Sequence, residues 1–268
     1  GDGDYVEIVD SPTLNNLASQ VTIEAWVRAD GYPGEWMSIV YKGDASEPDG
    51  AHRSFTLWLH RDGFIHFTSA PGGSGQMVLN SPNIIQPATW YHVAGIIDSV
   101  NHRMKLLING NEVASGSYGD SIRTSVLPLA FGLGDCCNSF AGQIDEVRIW
   151  NVPRTQKQIQ ATMNLVLTGG EPGLVGYWNF DDATADDRSG HGNHGTLSGD
   201  ASLIREIFVS PTGNDVTGDG SLAHPYATIQ HGVNVSDLGG IVNVLAGVYP
   251  ENVNIPHPLT LSGEGVEQ

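Results

Sequence analysis

The sequence predicts an all-β protein: an antiparallel β-sandwich or jelly roll with one short helix, followed by the first rungs of a β-solenoid. Three observations predict it. Short runs of β-branched and aromatic residues recur between turns, and Gly 34 and Pro 14 in 268 residues supply the turns. Several runs alternate apolar and polar residues at period two, the mark of a half-buried strand. Helix-period runs are scarce, so hairpin-linked strands have to carry the core.

In chain order, residues 5–9 form a short strand ended by Asp10-Ser11-Pro12. Residues 21–29 alternate: Val21, Ile23, Ala25 and Val27 face one way, and Thr22, Glu24, Trp26 and Arg28 the other. Residues 37–42 are a strand preceded by a Gly/Pro turn that presents Trp36, and a polar loop follows over residues 43–53 with Asp44, Glu47, Asp49 and His52. Residues 54–61 alternate with Phe55, Leu57 and Leu59 inward and Thr56, Trp58 and His60 outward. They pair with residues 64–69 across Asp62-Gly63, a strong hairpin signal. Strands follow at 90–98 and 105–113, the latter folded over Asn109-Gly110, then at 126–134, 140–150 and 174–181. The helix is 155–164, with Thr155 as N-cap and Ile159 and Met163 four apart.

From residue 204 the pattern changes, giving domains 1–203 and 204–268. A strand at 207–209 and a short helix at 227–235 precede three apolar runs at 241–245, 253–255 and 259–261. Spaced by Gly, Pro and Asn, these runs look like solenoid rungs, which need about three repeats to bury a core.

Composition narrows the function. A net charge of −18 repels phosphates and argues against nucleic acid. It suits an extracellular protein, secreted or at the cell surface, and one that collects divalent cations. No run of 18 apolar residues exists, so no membrane insertion is expected. The chain opens at Gly1 without Met or signal peptide and looks like a piece of a longer precursor. Its two cysteines, Cys136 and Cys137, are adjacent; they form either a strained vicinal disulfide or two free thiols.

The stretch FAGQIDEVRIW (140–150) carries the sharpest chemical question. Period two puts Asp145 on the face of Val147 and Ile149, where an unpaired carboxylate is costly. Two readings answer it: a hard cation such as calcium, or a rim carboxylate bonded to backbone N–H groups. Catalysis is not expected. Glycoside hydrolysis needs a carboxylate pair, yet Glu7 and Asp10 are out of phase and Asp145 and Glu146 point apart. No GxSxG occurs, and HGNH (191–194) reads as a turn. For sugar binding, Trp58, His60 and His66 on paired strands, with Trp36 and the Asp44–Asp49 loop nearby, form a candidate glycan-contact surface.

Residues 1 to about 200 resemble the laminin-G-like jelly roll of the concanavalin A-like lectin and glucanase superfamily, including the pentraxins. The carriers are GDGDYVEI (1–8), VTIEAWVRA (21–29), WYHVAGIID (90–98), KLLINGNEVAS (105–115), GQIDEVRIWN (142–151) and GLVGYWNFDD (173–182). The segment DRSGHGNHGTLSG (187–199) looks like the turn that follows the YWxFD strand in that family. Here it either wraps back beside Tyr5 to close the same sandwich or is the relic of a second copy. The resemblance implies two calcium positions. A structural site maps to Asp145 and the turn at 1–4, including Asp4. A ligand-binding site maps to Asp44, Glu47 and Asp49 with Asp135 and Asn138, although the spacing and the Cys136-Cys137 pair depart from the pentraxin pattern. Residues 205–265 resemble the entry of pectate-lyase-like right-handed parallel β-helices, through IFVSPTGNDVTGDGS, HPYATIQHGV and VLAGVYPENVNI. The catalytic rungs of such lyases are absent from this chain.

The function expected is a non-catalytic, calcium-stabilised module of a larger protein that binds a polysaccharide or glycan, or mediates adhesion. Two alternatives stand beside it: a fibre or adhesin subunit that self-associates through residues 205–268, and an ancillary domain of a polysaccharide-degrading enzyme.

Overall fold

In a computed structural model of the chain, residues 4–43, 52–72, 75–133, 139–181, 184–199, 201–203, 206–236, 240–257 and 259–263 are described. The chain divides into two units, Gly1–Asn179 with Ala185–Ala201 and Phe180–Thr184 with Ser202–Gln268.

The first unit runs β1 (Tyr5–Ile8), α1 (Pro12–Asn15), β2 (Gln20–Ala29), β3 (Trp36–Gly43), β4 (Arg53–His60), β5 (Ile65–Ser69) and β6 (Met77–Asn80). It continues through β7 (Trp90–Asp98), β8 (Arg103–Ile108), β9 (Asn111–Ser117), β10 (Leu129–Phe131), β11 (Gly142–Trp150), α2 (Gln156–Thr162), β12 (Leu174–Trp178) and β13 (Gly195–Ser198). A seven-stranded sheet in the order β13-β1-β10-β3-β4-β5-β6 packs on a six-stranded sheet in the order β12-β11-β2-β7-β8-β9, and every neighbouring pair is antiparallel. The inner faces are the alternating residues foreseen from sequence: Val21, Ile23, Ala25 and Val27 on one sheet, Phe55, Leu57 and Leu59 on the other, all buried. Gly95 lets the sheets approach, since a Cβ there would lie 2.6 Å from the Phe67 ring. The segment after β12 does wrap back: β13 pairs with β1, Tyr5 opposite Ser198.

Four local expectations change. β6 is an edge strand that period-two reading did not mark. β12 stops at Trp178, and two residues later Phe180 takes φ 55°, a left-handed backbone that no strand continues through. The strand expected at 126–134 narrows to β10. Finally, β11 carries a bulge: Asp145 sits opposite Trp26 and Arg148 opposite Glu24, with Glu146 at φ 50°. The extra residue reverses the phase. Ile144, Val147 and Ile149 keep the inner face, while Asp145 shares the outer face with Trp26, Glu24 and Arg148.

That outer face is covered too. Thr22 and Glu24 are fully buried beneath residues 151–165. The capping box at Thr155 and Gln158 starts α2, whose Ile159 packs on Ala94, Ile96 and Leu107. Arg154 donates to Glu24 Oε1 at 2.5 Å and lies over the Trp150 ring at 4.1 Å. Burial alone would raise the Glu24 carboxyl. Pairing with His92 and Arg154 outweighs it, and the group sits below the usual carboxylate range.

In the second unit, β14 (Glu206–Val209), α3 (Ile229–Val235), β15 (Ile241–Val244) and β16 (Thr260–Gly263) form a three-stranded parallel sheet with one helix. Glu206, Ile241 and Thr260 stand in register, and Ile207, Val209, Tyr226 and Val242 make the core. Asp215 accepts the Thr228 amide and hydroxyl, and Glu251 accepts the amides of Ile229 and Gln230, which satisfies the start of α3. The run 253–255 is not a strand: Asn254 spends its N–H and C=O on the Gln230 side chain. Three parallel strands stand where the β-helix was expected, and its continuation is not shown.

Removing one partner of the buried ion pair tests this account. Glu24→Ala is expected to cost about 3–5 kcal/mol of unfolding free energy in urea, because Arg154 is left buried without its counter-charge. Replacing both by apolar residues of similar volume is expected to cost far less.

Candidate functional site

Cross-strand register assembles one surface on the outer face of the seven-stranded sheet. Trp36 stands opposite His60. In the next row Ser38, Trp58, His66 and Asn80 line up across β3, β4, β5 and β6. A third row runs Glu7, Ala130, Tyr41, Thr56, Thr68 and Val78. A one-residue irregularity in β3 between Ser38 and Val40 keeps Trp36 and Ser38 on this side while Met37 and Val40 face the core.

Three of the four expected sugar-contact residues come together. The Trp36 ring meets His60 at 4.5 Å, His66 at 4.9 Å and Phe64 at 5.9 Å, each edge-on. His60 stacks on Phe64 at 4.4 Å. Trp36 and His66 are part-exposed and His60 is nearly buried. The fourth residue needs correction. Trp58 is 2% exposed, with Tyr41 edge-on at 6.0 Å and the Arg53 guanidinium 5.4 Å over its ring. Its indole N–H is spent on Thr56 Oγ1 at 2.8 Å. It is floor, not platform, because both faces of β4 are covered. Phe64 and Asn80 join the surface unforeseen. Phe64 has a signal in sequence, being the aromatic that leaves the Asp62-Gly63 turn; Asn80 has none, since its strand was not marked.

The polar groups are pre-set. His66 Nδ1 lies 2.7 Å from Asn80 Oδ1, so that nitrogen carries the proton and Nε2 is left as an acceptor. Burial pushes the His66 imidazole below its usual value; the Asn80 bond opposes, and the charges of Arg53 and His60 add to the lowering. His60 Nδ1 accepts the Asp62 N–H at 3.2 Å, with Glu35 Oε1 3.8 Å from Nε2. The surface therefore offers an aromatic edge beside imidazole nitrogens and an amide. Among the described residues of its strands, no strand carries two carboxylates on this face.

Of the five expected calcium ligands, Asp4 and Asp145 fall among the described residues. Asp44, Asp49 and Asp135 lie outside the described residues, as do Cys136 and Cys137. Asp4 precedes β1 of the seven-stranded sheet, and Asp145 is in β11 of the other. Asp145 Oδ1 accepts the Glu146 N–H at 2.7 Å, the backbone bond that its rim reading called for. Among the described residues no three His, Cys, Asp or Glu side chains converge as a metal cluster. His191 and His194 of the HGNH turn serve separate partners, Leu174 O at 3.2 Å and Asp186 at 3.0 Å. No helix is long and apolar enough to cross a membrane.

Comparison with known proteins follows the fold. The family model of the concanavalin A-like lectin/glucanases superfamily matches residues 1–160. A solved candidate carbohydrate binding protein from Bacteroides ovatus is similar at TM-score 0.57 and 21% identity, over 76% of this chain and 61% of that one. A SAP-like pentraxin from Limulus polyphemus is similar at TM-score 0.45 and 16% identity, over 62% of this chain and 78% of that one. Mouse pappalysin-1 is 25% identical over 157 residues, which is 53% of this chain and 9% of that protein. The chain thus spans only a small part of that curated relative.

The His66 environment gives a pH test with a defined sign. A lowered folded value means the unfolded chain binds more protons just below about pH 6.5. That contribution to stability is complete above the unfolded value and is lost as pH falls toward the folded one. Imidazole NMR titration should find His66 titrating below the free-histidine range. His66→Gln should remove that part of the acid loss measured by denaturation.

Proposed function

From the chain's membership of the concanavalin A-like lectin/glucanase superfamily, we propose that it is a non-catalytic carbohydrate-binding module of an extracellular protein. One observation carries the reading: the surface on the outer sheet face where Trp36, His66 and Asn80 are accessible around the nearly buried His60. Sugar recognition uses an apolar face for C–H groups and fixed polar groups for hydroxyls, and this surface supplies both. The Bacteroides ovatus comparison supports the fold of the reading and the surface supports its chemistry. Glu35 and Asp62 at the edge, both more than half exposed, disfavour a densely anionic glycan.

A glycan array followed by titration tests it. Trp36→Ala should weaken binding to any glycan that scores by about tenfold or more, with the fold unchanged. An array without hits, or hits indifferent to Trp36→Ala, would remove the surface from consideration.

Calcium is part of the same proposal, held by Asp145 and Asp4 or by the Asp44, Asp49 and Asp135 loops. A bound ion at a hundredfold excess over its Kd stabilises by about 2.7 kcal/mol. Thermal unfolding should therefore shift upward with calcium and return with chelator, and Asp145→Ala should abolish the shift if that site holds the ion. No shift would leave Asp145 as the backbone-bonded residue already described.

A second reading, a self-associating subunit of a fibre or adhesin, is favoured by one observation. β16 ends its parallel sheet, with exposed residues and no further strand paired to it among those described.

A further inference from the structure

A cleft of about 470 Å³ lies in the first unit, away from the sheet face. Its size falls in the range of small-molecule sites, about 300–1,000 Å³. Leu17, Leu174 and Val175 give it an apolar floor, and all three are buried. Asn16, Asn151, Glu171 and His191 stand on its rim, drawn from four separate segments.

The walls are held by bonds behind them. Asn193 accepts from Ser11 at 2.6 Å and donates to Val175 O at 2.8 Å, which ties α1 to β12. Asp187 accepts the amides of Tyr177, Ser189 and Asn193 and so fixes the turn that carries His191. Gly169 has φ 88° and would place a Cβ 1.9 Å from Arg188 O, so the two turns can close up only with glycine there. Such packing pre-pays the ordering cost of a binding site.

The rim states the ligand's chemistry. The side-chain amides of Asn16 and Asn151 make no hydrogen bond to the described residues, and each offers a donor and an acceptor to the cleft. His191 Nε2 faces Leu174 O at 3.2 Å, leaving Nδ1 open. Glu171 is engaged by its own turn, accepting Thr168 N, Thr168 Oγ1 and Gly169 N at 2.7, 2.9 and 2.9 Å. An ammonium ion would find that carboxylate largely committed. Among the described residues no Lys or Arg lines the cleft, so an anionic ligand finds no counter-charge from them. What remains is a neutral, hydroxyl-rich molecule with one apolar face. We infer that this cleft binds the neutral end of a saccharide chain, as a second site separate from the Trp36 surface and independent of that reading. The described lining has no Trp, Tyr or Phe, so weak binding is the expected result.

Amide NMR titration of the whole chain with neutral disaccharides (maltose, cellobiose, lactose, xylobiose), with glucuronic acid as the anionic control, decides it. Saturable shifts at the amides of Gly169, Gly170 and Gly173 with a neutral sugar, lost in Asn16→Ala/Asn151→Ala and kept in Trp36→Ala, are the expected result. Both asparagines are exposed and make no side-chain hydrogen bond to the described residues, so the double variant should melt as the parent does. No shift at these glycines with any neutral disaccharide would overturn the inference. So would shifts that survive the double variant, or binding of glucuronic acid alone.

Discussion

The buried Glu24–Arg154 pair is the constraint on which the sandwich depends. Two charges leave water there, and their mutual bond, His92 beside Glu24, the Trp150 ring, and Gln158 O and Thr162 Oγ1 accepting from Arg154 offset the cost. Satisfying them requires residues 151–165 to lie across the six-stranded sheet. Thr22 Oγ1 donates to Val152 O, Trp26 Nε1 to Met163 O, and Arg148 to the carbonyls of Thr162 and Leu165. One outer face of the sandwich is thereby closed. The Trp36 row of the opposite sheet remains part-exposed, and the candidate glycan surface lies there.

The bulge in β11 serves the same closure. By adding a residue opposite β2 it turns Arg148 outward, under the covering segment, while Val147 and Ile149 stay in the core. Glu146, bent to φ 50°, then accepts from both Arg148 and the Tyr177 hydroxyl. Burial, with the nearby Glu146 charge, pushes the Tyr177 phenol well above its usual value, so it remains a proton donor at any ordinary pH.

The two candidate sites differ in what holds them. The sheet face is set by strand register, which places side chains about 5 Å apart and lets rings meet at their edges. The cleft is set by turns, and turns approach this closely only through Gly169 and the carboxylates that gather their amides.

Much of the fold was legible because alternation and turn chemistry are local properties. The strands of Val21, Phe55 and Trp90, the Asp62-Gly63 and Asn109-Gly110 hairpins and the Thr155 cap stand where side-chain period and turn residues put them. Trp36, read as a turn residue, joins the surface through β3 instead; that His60 and His66 stand on paired strands followed from the same hairpin. The fate of Trp58 did not, because alternation tells which face a residue takes and not what lies over that face. Asp145 was misplaced for a related reason: a bulge adds one residue to the count, and nothing in FAGQIDEVRIW marks where. The residues from 13 to 191 that make the cleft are remote in sequence and carry no shared motif, so only the folded chain brings them together. Sequence alone determined the strands, their hairpins and the fold class. Which faces are covered, and which side chains meet, was decided by burial and charge pairing across the tertiary structure.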